Sequence, residues 1–173
     1  MKDVSVDMSF CRRCGSKLSS QGKYAYRCTQ GHEIFQNAAP AVGVVLYNDR
    51  NEVVMLERAV DPGKGRLDIP GGFCDGPETV EAAIARELQE ETGLTPDQYG
   101  PLEYICSGID PYEYKGEVLS VLGVMFRARL NEGAQPVASD DAAAVAFIPL
   151  ATMDMSSVYF PAVRGALERL RRQ

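Results

Sequence analysis

The stretch that decides the fold runs from Gly72 to Leu94 and reads GFCDGPETVEAAIARELQEETGL. Its composition predicts a helix over residues 79–92. Glu87, Glu90 and Glu91 are spaced i, i+3 and i+4, so the helix brings three carboxylates to one face. Like charges at this spacing repel each other, and a hard divalent cation that takes oxygen ligands is their natural counter-charge. The alternative interpretation is a solvated acidic face, which is the usual meaning of a charge run.

Two further features support a packed helix in this stretch. Val80, Ile84 and Leu88 recur at i, i+4 and i+8, which predicts a second face that packs against a sheet. Gly93 follows the helix, where a glycine favours a left-handed C-terminal stop. Just upstream, Gly71 has no side chain, so a backbone carbonyl there can approach a cation closely.

The stretch also fits a longer pattern, G-x5-E-x7-R-E-U-x-E-E-x-G-U, in which U is aliphatic. Every fixed position matches, and so many identities coincide by chance very rarely. On these residues the chain resembles a Nudix hydrolase, and the strands on either side extend the resemblance over residues of roughly 40–150. The resemblance implies an α/β/α sandwich with a mixed sheet. It also implies hydrolysis of a nucleoside diphosphate linked to another group, X, to a nucleotide and phosphorylated X.

The resemblance further implies roles for residues of the motif. Glu87, Glu90 and Glu91 would bind Mg²⁺ or Mn²⁺ together with the carbonyl of Gly71, and Glu78 and Arg86 would support the loop and orient the ligands. The general base stays open between Glu90 and Glu87. An acidic ligand from outside the motif stays open as well; the candidates are Glu117, Asp140 and Asp141. Metal-activated water needs no nucleophilic side chain, and the sequence offers no Ser-His or Cys-His pairing for one.

The segments around the motif predict alternating strands and helices. Strands are expected at 41–47, 53–56, 67–69, 99–109, 118–130 and 145–148, and a basic amphipathic helix at 160–172. Asn37–Pro40 is interpreted as a linker, which divides the chain into a module of residues 1–37 and a catalytic domain of residues 38–173. The fold class is therefore α/β, with a small β-hairpin module in front.

The first module contains Cys11, Cys14, Cys28 and His32 in the order C-x2-C-x13-C-x3-H. Three thiolates and one imidazole at this spacing predict a closed structural Zn²⁺ site. The alternative is a group of small buried residues with a chance histidine. The cluster resembles the zinc ribbon of one branch of Nudix proteins, although the second pair departs from C-x2-C. Cys74 and Cys106 remain, and packed thiols are the expected state of both.

Composition limits the partners. The chain has 173 residues and a net charge of −6, which argues against nucleic-acid binding through overall electrostatics. There is no apolar run of transmembrane length, and the N-terminal residues lack the pattern of a signal peptide, so a cytoplasmic location is expected. Many relatives of the resembled type form homodimers, which makes a homodimer a further expectation.

The substrate is the least determined feature. Arg58, Lys64 and Arg66 precede the motif and could contact a phosphate or sugar, with solvated charges as the alternative. Tyr112 could stack on a base or simply pack at a strand end. Zinc-ribbon relatives that cleave NADH carry a tryptophan-containing array downstream of the motif, whereas this chain has no tryptophan. ADP-ribose or a nucleotide sugar is therefore predicted; NADH, capped RNA ends and a non-catalytic nucleotide sensor are the alternatives.

Overall fold

The computed structural model describes residues 7–173, and the N-terminal residues in which no signal-peptide pattern was found lie mostly outside this range. The chain divides into two compact units. The first comprises the residues up to 39 together with 111–121, and the second comprises 40–110 together with 122–173. The predicted boundary between residues 37 and 38 stays a prediction.

The first unit contains a small antiparallel sheet of three strands, β1 (Leu18–Ser20), β2 (Ala25–Cys28) and β3 (Glu33–Phe35). β1 and β2 pair antiparallel and form the β-hairpin expected of this module. The sequence did not predict β3. The small core of the unit consists of Cys11, Cys28 and Ile34, packed against Met8, Leu18 and Tyr26.

The second unit is built on a seven-stranded sheet in the order β10-β5-β4-β9-β8, with β6 paired to β5 and β7 paired to β4. The strands are β4 (Ala39–Tyr47), β5 (Glu52–Arg58), β6 (Leu67–Asp68), β7 (Gly71–Phe73), β8 (Glu103–Tyr114), β9 (Glu117–Arg129) and β10 (Ala142–Pro149). The helices are α1 (Val80–Thr92) and α2 (Pro161–Arg171). Neither is long and apolar enough to cross a membrane, a finding restricted to residues 7–173.

The two helices cover opposite faces of the sheet. Val44 and Leu46 of β4 belong to the same buried cluster as Ile84 of α1. Val45, which lies between them, belongs to a second cluster with Leu167 of α2. Since successive side chains of a strand point to opposite faces, this alternation places one helix on each side. The α/β/α sandwich expected from the resemblance is confirmed.

The sheet is mixed. β4 pairs antiparallel with β5 and with β7. At the other side of β4, the Leu130 N–H just beyond β9 donates to the Tyr47 carbonyl at the end of β4 over 2.8 Å. The C-terminal ends of β4 and β9 therefore lie at the same edge of the sheet, which means that these two strands run parallel.

Some predicted boundaries are wrong. β4 begins at Ala39, so the linker expected at 37–40 is partly strand. β7 was missed because it consists mainly of two glycines, which have low strand propensity. β8 begins four residues later than expected, after Gly100 and Pro101, and Tyr99 makes only an isolated bridge to Leu130.

Candidate active site and cysteine-histidine cluster

Both ends of α1 are closed by local interactions, of which the sequence predicts the stop at Gly93. The Thr79 side chain caps the first turn and accepts a hydrogen bond from the Ala82 N–H at 3.2 Å. At the other end Gly93 takes the left-handed conformation, with φ of 69°. Its N–H donates to the Gln89 carbonyl at 3.0 Å, and the Leu94 N–H donates to the Leu88 carbonyl at 3.3 Å. The helix that carries the glutamates is thus held to a defined length.

The two glycines of β7 permit a close approach of backbone and carboxylate. Gly71 lies opposite Gly43, and Gly72 lies opposite Val42. A Cβ atom on Gly71 would come within 2.2 Å of the Val42 carbonyl oxygen, and Gly71 has a φ of 148°. A Cβ atom on Gly72 would come within 2.3 Å of a carboxylate oxygen of Glu87. No other residue fits either position without displacing the site.

Arg86 connects the loop to the glutamate face. Its guanidinium donates to both carboxylate oxygens of Glu78 at 2.9 and 3.0 Å and to the Phe73 carbonyl at 2.8 Å. Its Nη1 atom also donates to Glu87 at 2.8 Å and to Glu90 at 3.0 Å. The hydrogen bond from Arg86 lowers the pKa of the Glu78 carboxyl. One planar cation thus orients three carboxylates and a turn of backbone.

Glu91 accepts a hydrogen bond from the Gly71 N–H at 2.8 Å. Burial raises its pKa to about 8, and the nearby charges of Glu87 and Asp68 add to the increase. Burial also raises the pKa of Glu87. Low-dielectric surroundings disfavour a carboxylate that has no counter-charge, and a cation bound beside it restores the ionised form. The donor set and its electrostatics therefore fit a hard divalent cation.

Sequence reasoning did not identify Asp68, a further carboxylate whose charge acts on Glu91. Asp68 forms an ion pair with Arg58 at 2.9 Å, and the two side chains are only 13% and 15% exposed. Burial raises the pKa of Asp68 to about 6 despite the nearby arginine. The signal that could have indicated it is a charged residue between the apolar Leu67 and Ile69, directly before the glycine loop.

The predicted substrate contacts are divided between the two units, with Arg58 and Arg66 hydrogen-bonded through their backbones in the second unit. Arg58 donates to the Pro62 carbonyl at 2.7 Å and lies 5.1 Å from the centre of the Phe160 ring, in addition to its bond with Asp68. Arg66 donates to the carbonyls of Ser156 and Ser157. Lys64 is exposed, and Tyr112 lies half-buried in the part of β8 that belongs to the first unit.

The candidates for a metal ligand outside the motif are divided between the two units. Glu117 belongs to the first unit and accepts the Asp7 N–H at 2.9 Å. Asp140 and Asp141 are exposed and directly precede β10.

Within residues 7–173, one group of side chains is close enough together to hold a metal ion. It consists of Cys11, Cys14, Cys28 and His32, whose ligand atoms all lie within 4.8 Å of one another. The Cys14 and Cys28 sulfurs are 3.7 Å apart, as are the Cys11 sulfur and the His32 Nδ1. Zn–S bonds of about 2.3 Å in a tetrahedron would separate two sulfurs by about 3.8 Å.

The backbone around the cluster forms two similar turns. The Gly15 N–H donates to the Cys11 carbonyl at 2.8 Å, and the Gly31 N–H donates to the Cys28 carbonyl at 3.0 Å. Both glycines have positive φ, 70° and 78°. Gly31 thus supplies the turn that brings a histidine to the fourth corner despite the longer C-x3-H spacing.

The thiols differ in their electrostatics. Hydrogen bonds from Ser16 lower the pKa of Cys14 to about 6. Burial raises the pKa of Cys28 and of Cys74, and Cys74 packs against the core cluster beside α1. Cys74 thus has the surroundings expected of a packed thiol.

The chain matches the NUDIX domain over residues 37–168 and belongs to the Nudix family. It is 33% identical over 120 residues to the ADP-ribose pyrophosphatase of Methanocaldococcus jannaschii, a match that covers 69% of this chain and 66% of that protein. It is 31% identical over 90 residues to the NAD-capped RNA hydrolase NudC of Haemophilus influenzae, covering 50% of this chain and 34% of NudC. The matches thus span less than two thirds of these relatives' lengths.

Two solved structures share the fold. A NUDIX hydrolase from Nitrosomonas europaea has a TM-score of 0.70 and 23% identity, and the match covers 95% of this chain and 91% of that one. The NUDIX domain of Shewanella oneidensis NrtR, solved in complex with ADP ribose, has a TM-score of 0.62 and 23% identity, covering 80% and 89%. At this level of identity the likeness concerns the fold.

Proposed function

We propose that the chain hydrolyses a nucleoside diphosphate linked to another group, of the ADP-ribose or nucleotide-sugar type, to a nucleotide and phosphorylated X. One observation carries this proposal. Glu87, Glu90 and Glu91 lie on one side of α1, and the glycine loop comes close enough for Glu91 to accept the Gly71 N–H at 2.8 Å. Similarity to an ADP-ribose pyrophosphatase favours ADP-ribose within this class.

Glu87, Glu90, Glu91 and the Gly71 carbonyl are the proposed ligands of Mg²⁺ or Mn²⁺. When bound, such an ion neutralises pyrophosphate oxygens and lowers the pKa of coordinated water toward neutrality. Glu87 and Glu91, both partly buried, support this assignment, because burial raises the pKa of each carboxyl and an added positive charge would stabilise its ionised form.

The remaining residues of the motif have supporting roles in this proposal. Arg86 orients Glu87 and Glu90, and it anchors the loop through Glu78 and the Phe73 carbonyl. The general base is Glu90 or Glu87. The Glu90 side chain is 47% exposed and that of Glu87 is 13% exposed, which favours Glu90 as the group that reaches a solvent-derived water.

Substrate contacts are assigned to Arg58, Arg66 and Tyr112. Both arginines already bond to protein oxygens, but a guanidinium has five N–H donors and keeps capacity for a phosphate oxygen. These bonds would hold the arginines in fixed orientations before substrate arrives. Tyr112 is the candidate for stacking on a base.

The Cys11, Cys14, Cys28 and His32 cluster is the proposed site of a structural Zn²⁺. Four ligands close the coordination sphere, which leaves no position for a substrate or a catalytic water. The ion would stabilise the small unit, whose three-stranded sheet has a minimal core.

A panel assay tests the proposed function. Purified protein is incubated with Mg²⁺ and ADP-ribose, NADH, a diadenosine polyphosphate, a nucleotide sugar or a capped RNA, and the products are separated. ADP-ribose or the nucleotide sugar should have the highest kcat/KM. A preference for NADH or NAD-capped RNA would favour the dinucleotide alternative, which the NudC similarity supports. Turnover of none of them would favour a nucleotide sensor.

A further inference from the structure

The three-stranded sheet of the first unit has one face turned to its core and one turned outward. Leu18, Tyr26 and Ile34 belong to the core cluster. Ser19 pairs with Arg27, and Arg27 pairs with Glu33 in the neighbouring strand. Because side chains alternate along a strand and paired residues share a face, these three side chains lie on the outer face.

Two aromatic rings lie at opposite corners of this outer face. Phe35 lies two residues beyond Glu33, and Phe10 bridges to Lys17, two residues before Ser19. Both belong to the outer face by the same alternation. The Phe10 side chain is 60% exposed and the Phe35 side chain is 55% exposed. The strand spacing and rise place the rings roughly 20 Å apart, with Lys17 and Arg27 between them.

Positive charge is concentrated in the same part of the chain. Residues 1–39 contain six basic and three acidic side chains, whereas residues 40–173 contain twelve basic and twenty-one acidic side chains. The N-terminal module is therefore basic, although the whole chain has a net charge of −6. Arg12 and Arg13, between the first two cysteines, are exposed, as are Lys17 and Arg27.

We infer that this outer face, defined by Phe10, Lys17, Arg27 and Phe35, binds single-stranded nucleic acid. Exposed rings offer flat surfaces on which unpaired bases stack, whatever the base. Lys17 lies between the rings, and Arg27, although it pairs with Glu33, keeps further N–H donors, so both cations are placed to contact the phosphates that join stacked bases. The excess of basic side chains in residues 1–39 is complementary to the negative charge of the nucleic acid, whereas residues 40–173 have a net negative charge.

The arrangement fits a nucleic-acid strand better than an apolar peptide. The two rings are separated by charged side chains instead of forming one continuous apolar patch. A peptide partner would need to bury Lys17 together with the ion pair of Arg27 and Glu33, and the desolvation of these charges is costly. A single strand alternates flat bases with anionic phosphates and therefore matches both kinds of side chain.

Fluorescence anisotropy tests the inference. The zinc-loaded protein is titrated into a fluorescein-labelled oligouridylate of about twelve nucleotides, a length within the range bound by single-strand modules. We expect saturable binding that weakens as salt is raised, and duplex DNA of similar length should bind more weakly. Phe35→Leu and Phe10→Leu should each weaken binding about tenfold, because leucine keeps the apolar bulk but lacks a flat ring. Phe35→Tyr should retain binding.

Matched variants outside the module provide controls. Tyr104→Leu removes a ring that is 62% exposed, and Arg50→Gln removes an exposed cation; neither should change oligonucleotide binding. Zinc content and circular dichroism check that the variants are folded. Absence of an anisotropy change at about 100 μM protein would overturn the inference. This concentration is close to the highest Kd of ordinary non-specific nucleic-acid binding. Equal binding by wild type and Phe→Leu variants, or a preference for duplex, would overturn it as well. Turnover of small nucleotides is measured separately and does not depend on this face.

Discussion

Glu91 in helix α1 accepts a hydrogen bond from the backbone N–H of Gly71 in β7, with 2.8 Å between nitrogen and oxygen. This contact joins residues twenty positions apart in sequence and brings the Nudix helix to the glycine loop. Burial raises the pKa of the Glu91 carboxyl to about 8. In the absence of a cation, Glu91 therefore holds its proton near neutral pH.

Glu91→Gln should stabilise the metal-free protein at alkaline pH and abolish catalysis. The pKa of Glu91 rises from 4.5 to about 8 on folding, so the folded state binds a proton that the unfolded chain releases. The free energy of unfolding of the wild type should therefore fall as pH increases from about 4.5 to about 8. The variant should lose this part of the decline, about 5 kcal/mol for a pKa that rises from 4.5 to about 8, in urea unfolding with EDTA.

The same variant should lose about a hundredfold or more in kcat with Mg²⁺, because a proposed ligand is gone. Mg²⁺ should raise the melting temperature of the wild type at pH 8 but not that of Glu91→Gln. Glu81→Gln is the control, since Glu81 is exposed in the first turn of the same helix. Normal turnover by Glu91→Gln would contradict the metal assignment.

Arg86→Lys should lower activity more than stability. Lysine keeps the charge but cannot contact Glu78, Phe73, Glu87 and Glu90 together, so the carboxylates lose their common orientation. We expect kcat to fall at least about tenfold and the free energy of unfolding by about 1–2 kcal/mol. Arg127→Lys is the matched control, because Arg127 forms an exposed pair with Glu103. Equal activity losses in the two variants would show that Arg86 has no special role.

Gly72→Ala should weaken Mg²⁺ binding. The added methyl group would lie 2.3 Å from a carboxylate oxygen of Glu87, so the carboxylate or the loop must shift. Titration calorimetry should measure a higher Kd for Mg²⁺, by about tenfold or more, together with reduced turnover. Gly100→Ala is the control, since its added methyl group would lie 3.6 Å from the nearest atom, the Arg129 carbonyl oxygen, which is an ordinary contact. An unchanged Mg²⁺ affinity in Gly72→Ala would mean that Glu87 is not a ligand.

Cys28→Ser should remove zinc and unfold the first unit. Metal analysis of the wild type should find about one zinc per chain, and the variant should contain little. Protease sensitivity should then increase within residues 7–39, because a core of three buried residues does not hold three short strands. Cys106→Ser provides the control, as Cys106 packs against the core beside α2. A zinc-free wild type with an intact ribbon would exclude the structural zinc.

Local spacing was sufficient for several features. The i, i+3, i+4 glutamates, the apolar face of α1 and the stop at Gly93 follow from helix periodicity and glycine conformation, and all three occur as expected. The strands β4 and β5 were found because they are continuous apolar runs. β7 and β3 were missed, since two glycines or three mixed residues carry little strand signal.

By itself, the sequence determined the family motif, the helix that presents the glutamates and the spacing of the cysteine-histidine cluster, because each depends on residues close together along the chain. Only the tertiary structure decided that Glu91 pairs with Gly71, that Asp68 is buried against Arg58, and that Phe10 and Phe35 share an outer face. These relationships depend on strand pairing and register, which close long loops and are set by the packing of the whole core.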